Sequence, residues 1–237
     1  AIAVASEAAA KNIANSVYQR NLPGRNTNLR FMTQQKTLAT ANPIAVATLA
    51  SAPRVAYQAS FPENSADGNG VTPSSAKFLF DSGVDAITLG NHAFRRQEVY
   101  GMLDENPFIV RPANFPGKAP GNGYTVAEAN GYRILCINAQ GTALMEPLDS
   151  PFEAVDKILE REAGRYDFSI LDFHAEATSE KIAMGYYLDG RVNIVFGTHT
   201  HVQTADGRVL PNGTGYVTDI GMTGPEDGIL GAAAGPV

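Results

Sequence analysis

The chain has a single cysteine, Cys136, among 237 residues, so no internal disulfide can brace it. Cys136 lies in the apolar run from Tyr132 to Asn138, the setting of a buried strand thiol in a reducing compartment. Basic charge is not in excess either. The formal net charge is -6, which argues against a surface that holds nucleic-acid backbone by charge alone. No run approaches the ~20 apolar residues of a membrane span, and no basic-then-apolar leader opens the sequence. These absences predict a soluble, cytoplasmic protein with no membrane partner and no stable nucleic-acid complex. Acid is scarce at the start as well: Glu7 is the one carboxylate in the first 50 residues, and no aspartate precedes Asp67.

Histidine is sparse but not scattered. All four histidines, His92, His174, His199 and His201, stand in short polar motifs at the ends of apolar runs. The motifs Glu63-Asn64, Gly90-Asn91-His92, Asp172-Phe173-His174 and Gly197-Thr198-His199-Thr200-His201 supply a carboxylate, amides and imidazoles. That is the mixed oxygen and nitrogen set borderline divalent metals prefer. Taken alone, His92 reads more readily as a structural residue, and Glu63-Asn64 equally as a solvated turn. The pair His199 and His201 is stronger, because residues two apart on an extended segment point the same way. Three successive predicted strands ending at histidines carry more weight than any one motif, and they indicate a metal-dependent hydrolase.

With 44% apolar residues, a chain of this length can bury one sizeable core, and one domain over residues 1–237 is expected. Residues 1–55 are atypical, rich in alanine and amides, with a helix over 1–19 on propensity alone. From about residue 55 onward, apolar runs alternate with helical patterns, which indicates an α/β architecture. Thr72-Pro73 caps a helix that stops at Gly83, and Val84 to Leu89 is the next strand, delivering Asn91 and His92 beyond its C-terminal end. Ser150-Pro151-Phe152-Glu153 opens a helix to about Ala163. Strands are expected from Phe168 to Phe173 and from Arg191 to Phe196, with a helix from Ser179 to Leu188 between them. Asn130-Gly131 marks a hairpin and Asn212-Gly213 a turn.

From about Pro62 to Gly231 the chain resembles the YmdB-like branch of the calcineurin-like metallophosphoesterases. The stretches that carry the resemblance are Glu63-Asn64-Ser65-Ala66, Ile87-Thr88-Leu89-Gly90-Asn91-His92, Val110-Arg111-Pro112-Ala113-Asn114, the block from Asp172 to Lys181, the block from Gly197 to Asp206, and Thr218-Asp219-Ile220-Gly221-Met222-Thr223-Gly224-Pro225. The resemblance implies an α/β/β/α sandwich of mixed β-sheets flanked by helices, and hydrolysis of 2′,3′-cyclic nucleotides or related small phosphodiesters through a metal-bridging hydroxide. It implies two metal ions, iron or manganese, and the ligand set would also accept zinc. Glu63 corresponds to the bridging carboxylate and Asn64 to an amide ligand of the first metal, which His201 completes. Asn91, His174 and His199 correspond to ligands of the second metal, and His92 to the proton donor. Asp172, Glu176 and Asp206 are nearby candidates to fix the imidazoles.

One departure from the family pattern stands out. Members open with a strand ending in Gly-Asp, whose aspartate binds the first metal; here Glu7 is the nearest substitute by position. The alternatives are therefore a phosphomonoesterase or nucleotidase on the same site, or a non-catalytic nucleotide-binding regulatory protein with an impaired first metal site. An amidohydrolase also uses a His-x-His pair, but early in the chain, whereas this pair comes late. The expected partner is a small nucleotide or phosphodiester, and a homo-oligomer is left open.

Overall fold

The computed structural model describes residues 46–47, 55–57, 70–129, 131–222, 228–229 and 232–233. Glu7, Glu63, Asn64, Asn130, residues 223–227 and the helix expected over 1–19 lie outside them.

Local capping chemistry starts two of the helices among the described residues where the sequence says it should. Helix α1 (Pro73–Asp81) is entered through Thr72, whose side chain accepts from Ser75 N at 3.2 Å while the Ser75 hydroxyl accepts from Thr72 N at 2.9 Å. Two of the otherwise unpaired N–H groups at the helix start are thereby satisfied. Helix α2 (Val99–Glu105) has no side-chain cap and was not foreseen. Helix α3 (Pro151–Arg161) begins at Ser150, whose hydroxyl accepts from Glu153 N, and helix α4 is Thr178–Tyr187.

Two sheets organise these helices. In the first, β1 (Val46–Ala47), β2 (Val55–Tyr57), β3 (Ala86–Thr88) and β4 (Ile109–Val110) lie in that order, antiparallel at the β1 edge and parallel beyond it. In the second, β5 (Tyr124–Ala129), β6 (Tyr132–Gln140), β7 (Phe168–His174) and β8 (Ile194–Thr198) are followed by β10 (Gly215–Val217) and then β9 (Arg208–Val209). The β5–β6 and β9–β10 pairs are antiparallel; β6, β7, β8 and β10 run parallel. A short pair, β11 (Gly228–Ile229) and β12 (Ala232–Ala233), follows.

Strand alternation assigns each residue to a layer. Leu135, Ile137, Leu171, Phe173 and Val195 of the larger sheet pack against Val155 and Ile158 of α3 and Met184 of α4. Ile87 and Ile109 of the smaller sheet pack with Ala76 and Leu79 of α1 and Val99 and Leu103 of α2. The other faces meet each other, with Ala86 against Ile134, Cys136 and Ile170. Four layers result, helices, sheet, sheet, helices, which is the α/β/β/α sandwich expected. Each buried Leu- or Ile-sized side chain in these layers contributes roughly 1.5–3 kcal/mol. Among the described residues no helix is long and apolar enough to cross a membrane.

Several strand boundaries move relative to the sequence reading, β3 shortening to Ala86–Thr88 from the expected Val84 to Leu89. Arg191 and Val192 still donate to Leu188 O, at 2.8 and 3.2 Å, so the chain is turning out of α4 and β8 cannot start before Ile194. At the other end β8 reaches Thr198, because Thr198 pairs with His174 across the ladder. Likewise β6 runs on to Gln140, which also pairs with His174. Gln140, His174 and Thr198 therefore lie level across three neighbouring strands.

The layer between the sheets changes character along its length. Going toward the C-terminal ends, its side chains pass from Ile134 and Cys136 to Asn138 and Gln140 on β6, from Ile170 to Asp172 and His174 on β7, and from Ala86 to Thr88 on β3. Asn138 Nδ2 donates across the layer to Leu89 O and to Val110 O, the latter at 3.0 Å. The polar end of this layer is where the expected ligands gather.

Candidate metal centre

Asn91, His174 and His199 converge. Nε2 of His174 lies 3.1 Å from Oδ1 of Asn91 and 3.1 Å from Nδ1 of His199, and the two rings meet edge to face with centroids 4.8 Å apart. His174 closes β7 and is 5% exposed. Asn91 stands in the turn after β3, where Gly90 makes the approach feasible: a Cβ on Gly90 would overlap the His174 ring. Among the described residues no three His, Cys, Asp or Glu side chains close on one point; the convergence is of two imidazoles with an amide.

Hydrogen-bond partners favour one tautomer of His174. Thr88 Oγ1 donates to Asp172 Oδ2 at 2.6 Å, and Thr198 Oγ1 donates to Asp172 Oδ1 at 2.7 Å. With its hydrogen committed to Asp172, Thr198 Oγ1 accepts from Nδ1 of His174, 3.0 Å away. Nε2 of His174 is then a bare lone pair. On His199, Nε2 lies 3.2 Å from Oε2 of Glu176, and Nδ1 faces Nε2 of His174. Nε2 of His174 thus lies between Oδ1 of Asn91 and Nδ1 of His199, three atoms that can each offer a lone pair to one cation. Ligands at right angles around an ion with ~2.1 Å bonds sit about 3.0 Å apart, so the donor set fits a borderline divalent metal.

Electrostatics favour the same state. Burial lowers the His174 imidazole well below its usual range, helped by His199 and Lys181. Burial also lowers His199, against the opposing pull of Glu176, and lowers His201, with His199 adding to it. His92 is lowered by burial and then by the Arg95 charge. All four are neutral at neutral pH, the form in which imidazole binds metal. Asp172 is pushed up to about 7 by burial, while its hydrogen bonds from Thr88 and Thr198 pull the other way.

The remaining expected residues divide. His92 and His201 are near enough for their charges to act on His174, while Glu63 and Asn64 lie outside the described residues. The expectation that His199 and His201 share an extended segment is overturned. β8 stops at Thr198, and both histidines take left-handed backbone, with φ of 101° and 63°. Such angles are uncommon for non-glycine residues and are found at functional sites. The pair is presented by a strained turn. Of the three acids expected to fix imidazoles, Asp172 reaches His174 through Thr198 and Glu176 lies 3.2 Å from Nε2 of His199, whereas Asp206 bonds to Thr204 and Thr218.

This geometry can be set beside known proteins. The family model described as "YmdB-like protein" matches residues 47–237. The chain belongs to the YmdB-like family. A 2′,3′-cyclic-nucleotide 2′-phosphodiesterase of Bacillus subtilis (strain 168) is 53% identical over 169 residues, covering 71% of this chain and 64% of that protein. A putative phosphatase/phosphodiesterase of Mycoplasma pneumoniae is 39% identical over 178 residues, covering 72% and 62%. The chain thus spans less than two thirds of the length of these curated relatives. Among solved structures, a hypothetical protein from Thermus thermophilus superposes with a TM-score of 0.67 at 46% identity, covering 72% of this chain and 67% of that one. A structure described as a novel phosphatase, from Mycoplasma pneumoniae, gives 0.63 at 36% identity, covering 69% and 60%.

Within this YmdB-like chain, several residues at the site carried no expectation. Thr88 and Thr198 look like ordinary strand threonines, and only the meeting of two sheets on Asp172 gives them a role. Glu146 acts on both His92 and His199, opposing the lowering of each. It is held by Gln140 Nε2 at 3.0 Å. The signal for Gln140 was its place two positions beyond Asn138 on the same strand face.

Proposed function

We propose that the chain acts, as a single metallophosphoesterase domain, as a metal-dependent phosphodiesterase on 2′,3′-cyclic nucleotides or related small phosphodiesters. The observation that carries this reading is the convergence of Asn91 Oδ1 and His199 Nδ1 on His174 Nε2, each at 3.1 Å, a donor set suited to a borderline divalent cation. The name of the Bacillus subtilis relative supports the substrate class. Asn91, His174 and His199 would hold one ion; Glu63, Asn64 and His201 would serve a second, with Glu63 bridging. Iron or manganese is favoured by the family resemblance, and zinc also suits the donors. The chemistry supplied when metal is bound is neutralisation of the phosphoryl oxygens and a water nucleophile available at neutral pH.

The chain's own residues do the rest. Asp172, through Thr198, keeps the proton on Nδ1 of His174 and points Nε2 into the site. Glu176, 3.2 Å from Nε2 of His199, attracts a proton to that nitrogen and leaves Nδ1 toward the site. His92 donates a proton to the leaving ribose oxygen. It is neutral when the site is empty, and an anionic phosphodiester beside it favours the protonated form that donation requires.

The Mycoplasma pneumoniae relative's name joins phosphatase to phosphodiesterase, which keeps a nucleotidase as the second reading. The deciding experiment is metal content per chain by elemental analysis, alongside turnover of a 2′,3′-cyclic nucleotide and of a nucleoside monophosphate. Bound metal with faster turnover of the cyclic substrate supports the proposal. Preference for the monophosphate replaces it with the nucleotidase, and neither metal nor turnover replaces it with a nucleotide-binding protein.

A further inference from the structure

A buried ion pair lies behind the histidine turn, outside the converging ligands. Lys181 on α4 and Asp219, just past β10, are each 1% exposed, and Nζ lies 2.7 Å from Oδ2. Buried pairs are weak evidence for stability in themselves, because desolvating both charges offsets their attraction. What this pair touches is more informative. Asp219 Oδ2 also accepts from Thr200 Oγ1 at 2.8 Å and from Thr200 N at 3.3 Å, and Oδ1 accepts from Gly221 N at 2.8 Å. Thr200 is the residue between the two left-handed histidines.

The hydroxyl of Thr200 works in both directions. While donating to Asp219 it accepts from Val202 N at 3.4 Å, closing a short side-chain turn around His201. The Thr200 N–H, bonded to the same carboxylate, holds the peptide that follows His199. An ordered chain therefore runs from Lys181 Nζ through Asp219 and Thr200 to Val202 N, and it spans both strained residues. Asp219 is itself fixed on both flanks, with its N–H donating to Thr204 Oγ1 at 2.9 Å and its carbonyl accepting from Thr204 N at 3.0 Å. Gly197, where a Cβ would overlap the Thr218 carbonyl, lets this segment close onto β8.

We propose that Lys181 and Asp219 are positioning residues which, through Thr200, hold His199 and His201 in left-handed backbone and so aim both imidazoles into the metal centre. The aiming rests on the metal-dependent reading above; the backbone clamp does not. Backbone strain of this kind persists only where the surroundings over-determine it, and the two bonds from Thr200 into a buried, neutralised carboxylate supply that constraint.

The test uses the full chain with Thr200→Val, which keeps the side-chain shape and removes the hydroxyl, and Thr200→Ser, which restores it. Lys181→Met serves as a third variant, informative where it folds. Two quantities are read: the Cα and Cβ chemical shifts of residues 199 and 201 in metal-free protein, and zinc(II) affinity by chelator competition. Thr200→Val is expected to move both shifts out of the left-handed range and weaken zinc binding about 10- to 100-fold, as loss of a ligand's supporting hydrogen bond does, with Thr200→Ser close to the parent. Unchanged shifts in Thr200→Val overturn the proposal whatever the metal does. A parent protein that takes up no zinc counts against the metal-dependent reading, while the shifts still decide for or against the clamp.

Discussion

Gly90 lies flat against the His174 imidazole, so closely that a methyl group on its Cα would occupy the ring. The glycine is not at a left-handed angle, so its role here is space. Gly90→Ala should push the His174 ring off Asn91 and weaken metal binding, at a stability cost of about 1–3 kcal/mol for overpacking. Metal titration with thermal unfolding checks this. Parent-like affinity in a folded Gly90→Ala protein would show that the ring has no need of that position.

Thr198 joins Asp172 to His174, and its removal separates shape from hydrogen bonding. Thr198→Val should leave a buried carboxylate oxygen and Nδ1 of His174 without their partner, costing roughly 1–3 kcal/mol. It should also let the His174 proton move to Nε2, which nitrogen-15 shifts of the ring report directly. Thr198→Ser should keep the parent tautomer. The same tautomer in Thr198→Val would remove Asp172 from its orienting role.

His92 faces the site without taking part in the direct convergence. His92→Ala should keep bound metal and lower turnover by about 10²- to 10⁴-fold on substrates with poor leaving groups, with a smaller loss on activated aryl phosphodiesters. Loss of metal from His92→Ala would make it a ligand instead.

Cys136 gives a pH prediction remote from the metal centre. Burial pushes its thiol up to about 12, with Asp85 adding to the shift, whereas an unfolded thiol ionises near ~8.5. The contribution is full below that lower value and is lost as pH rises toward 12, because the unfolded chain releases its proton first. Unfolding free energy should fall above about pH 9, and less steeply in Cys136→Ala. The native thiol should also resist iodoacetamide at pH 8. Equal slopes for the two proteins, or rapid native alkylation, would contradict the buried, protonated thiol.

How much of this was legible in the sequence depends on how local each cause is. Thr72-Pro73 and Ser150-Pro151 announce α1 and α3 because their capping bonds span three residues. α2 escaped because Glu98 makes no capping bond. The histidines stood out by their motifs, and the convergence of Asn91, His174 and His199 follows from strand ends lying level. Lys181 did not stand out. In Ser179-Glu180-Lys181 it reads as a solvated helix residue, and only Asp219, 38 residues further on, explains why it is buried. The extended reading of His199-Thr200-His201 failed for the same reason: residues outside the motif set its backbone.

The level row of Gln140, His174 and Thr198 ties the chemistry to strand register. On β7 the histidine alternates with Phe173, which belongs to the helix-facing core. A slip of one residue in the β6–β7–β8 ladder would exchange these two, sending the imidazole among the aliphatics of α3 and α4 and a phenyl ring into the candidate metal centre. A single-residue insertion or deletion within β7 is therefore a loss of both core and site at once. In this sandwich the ladder that carries stability is also the ruler that spaces the proposed ligands.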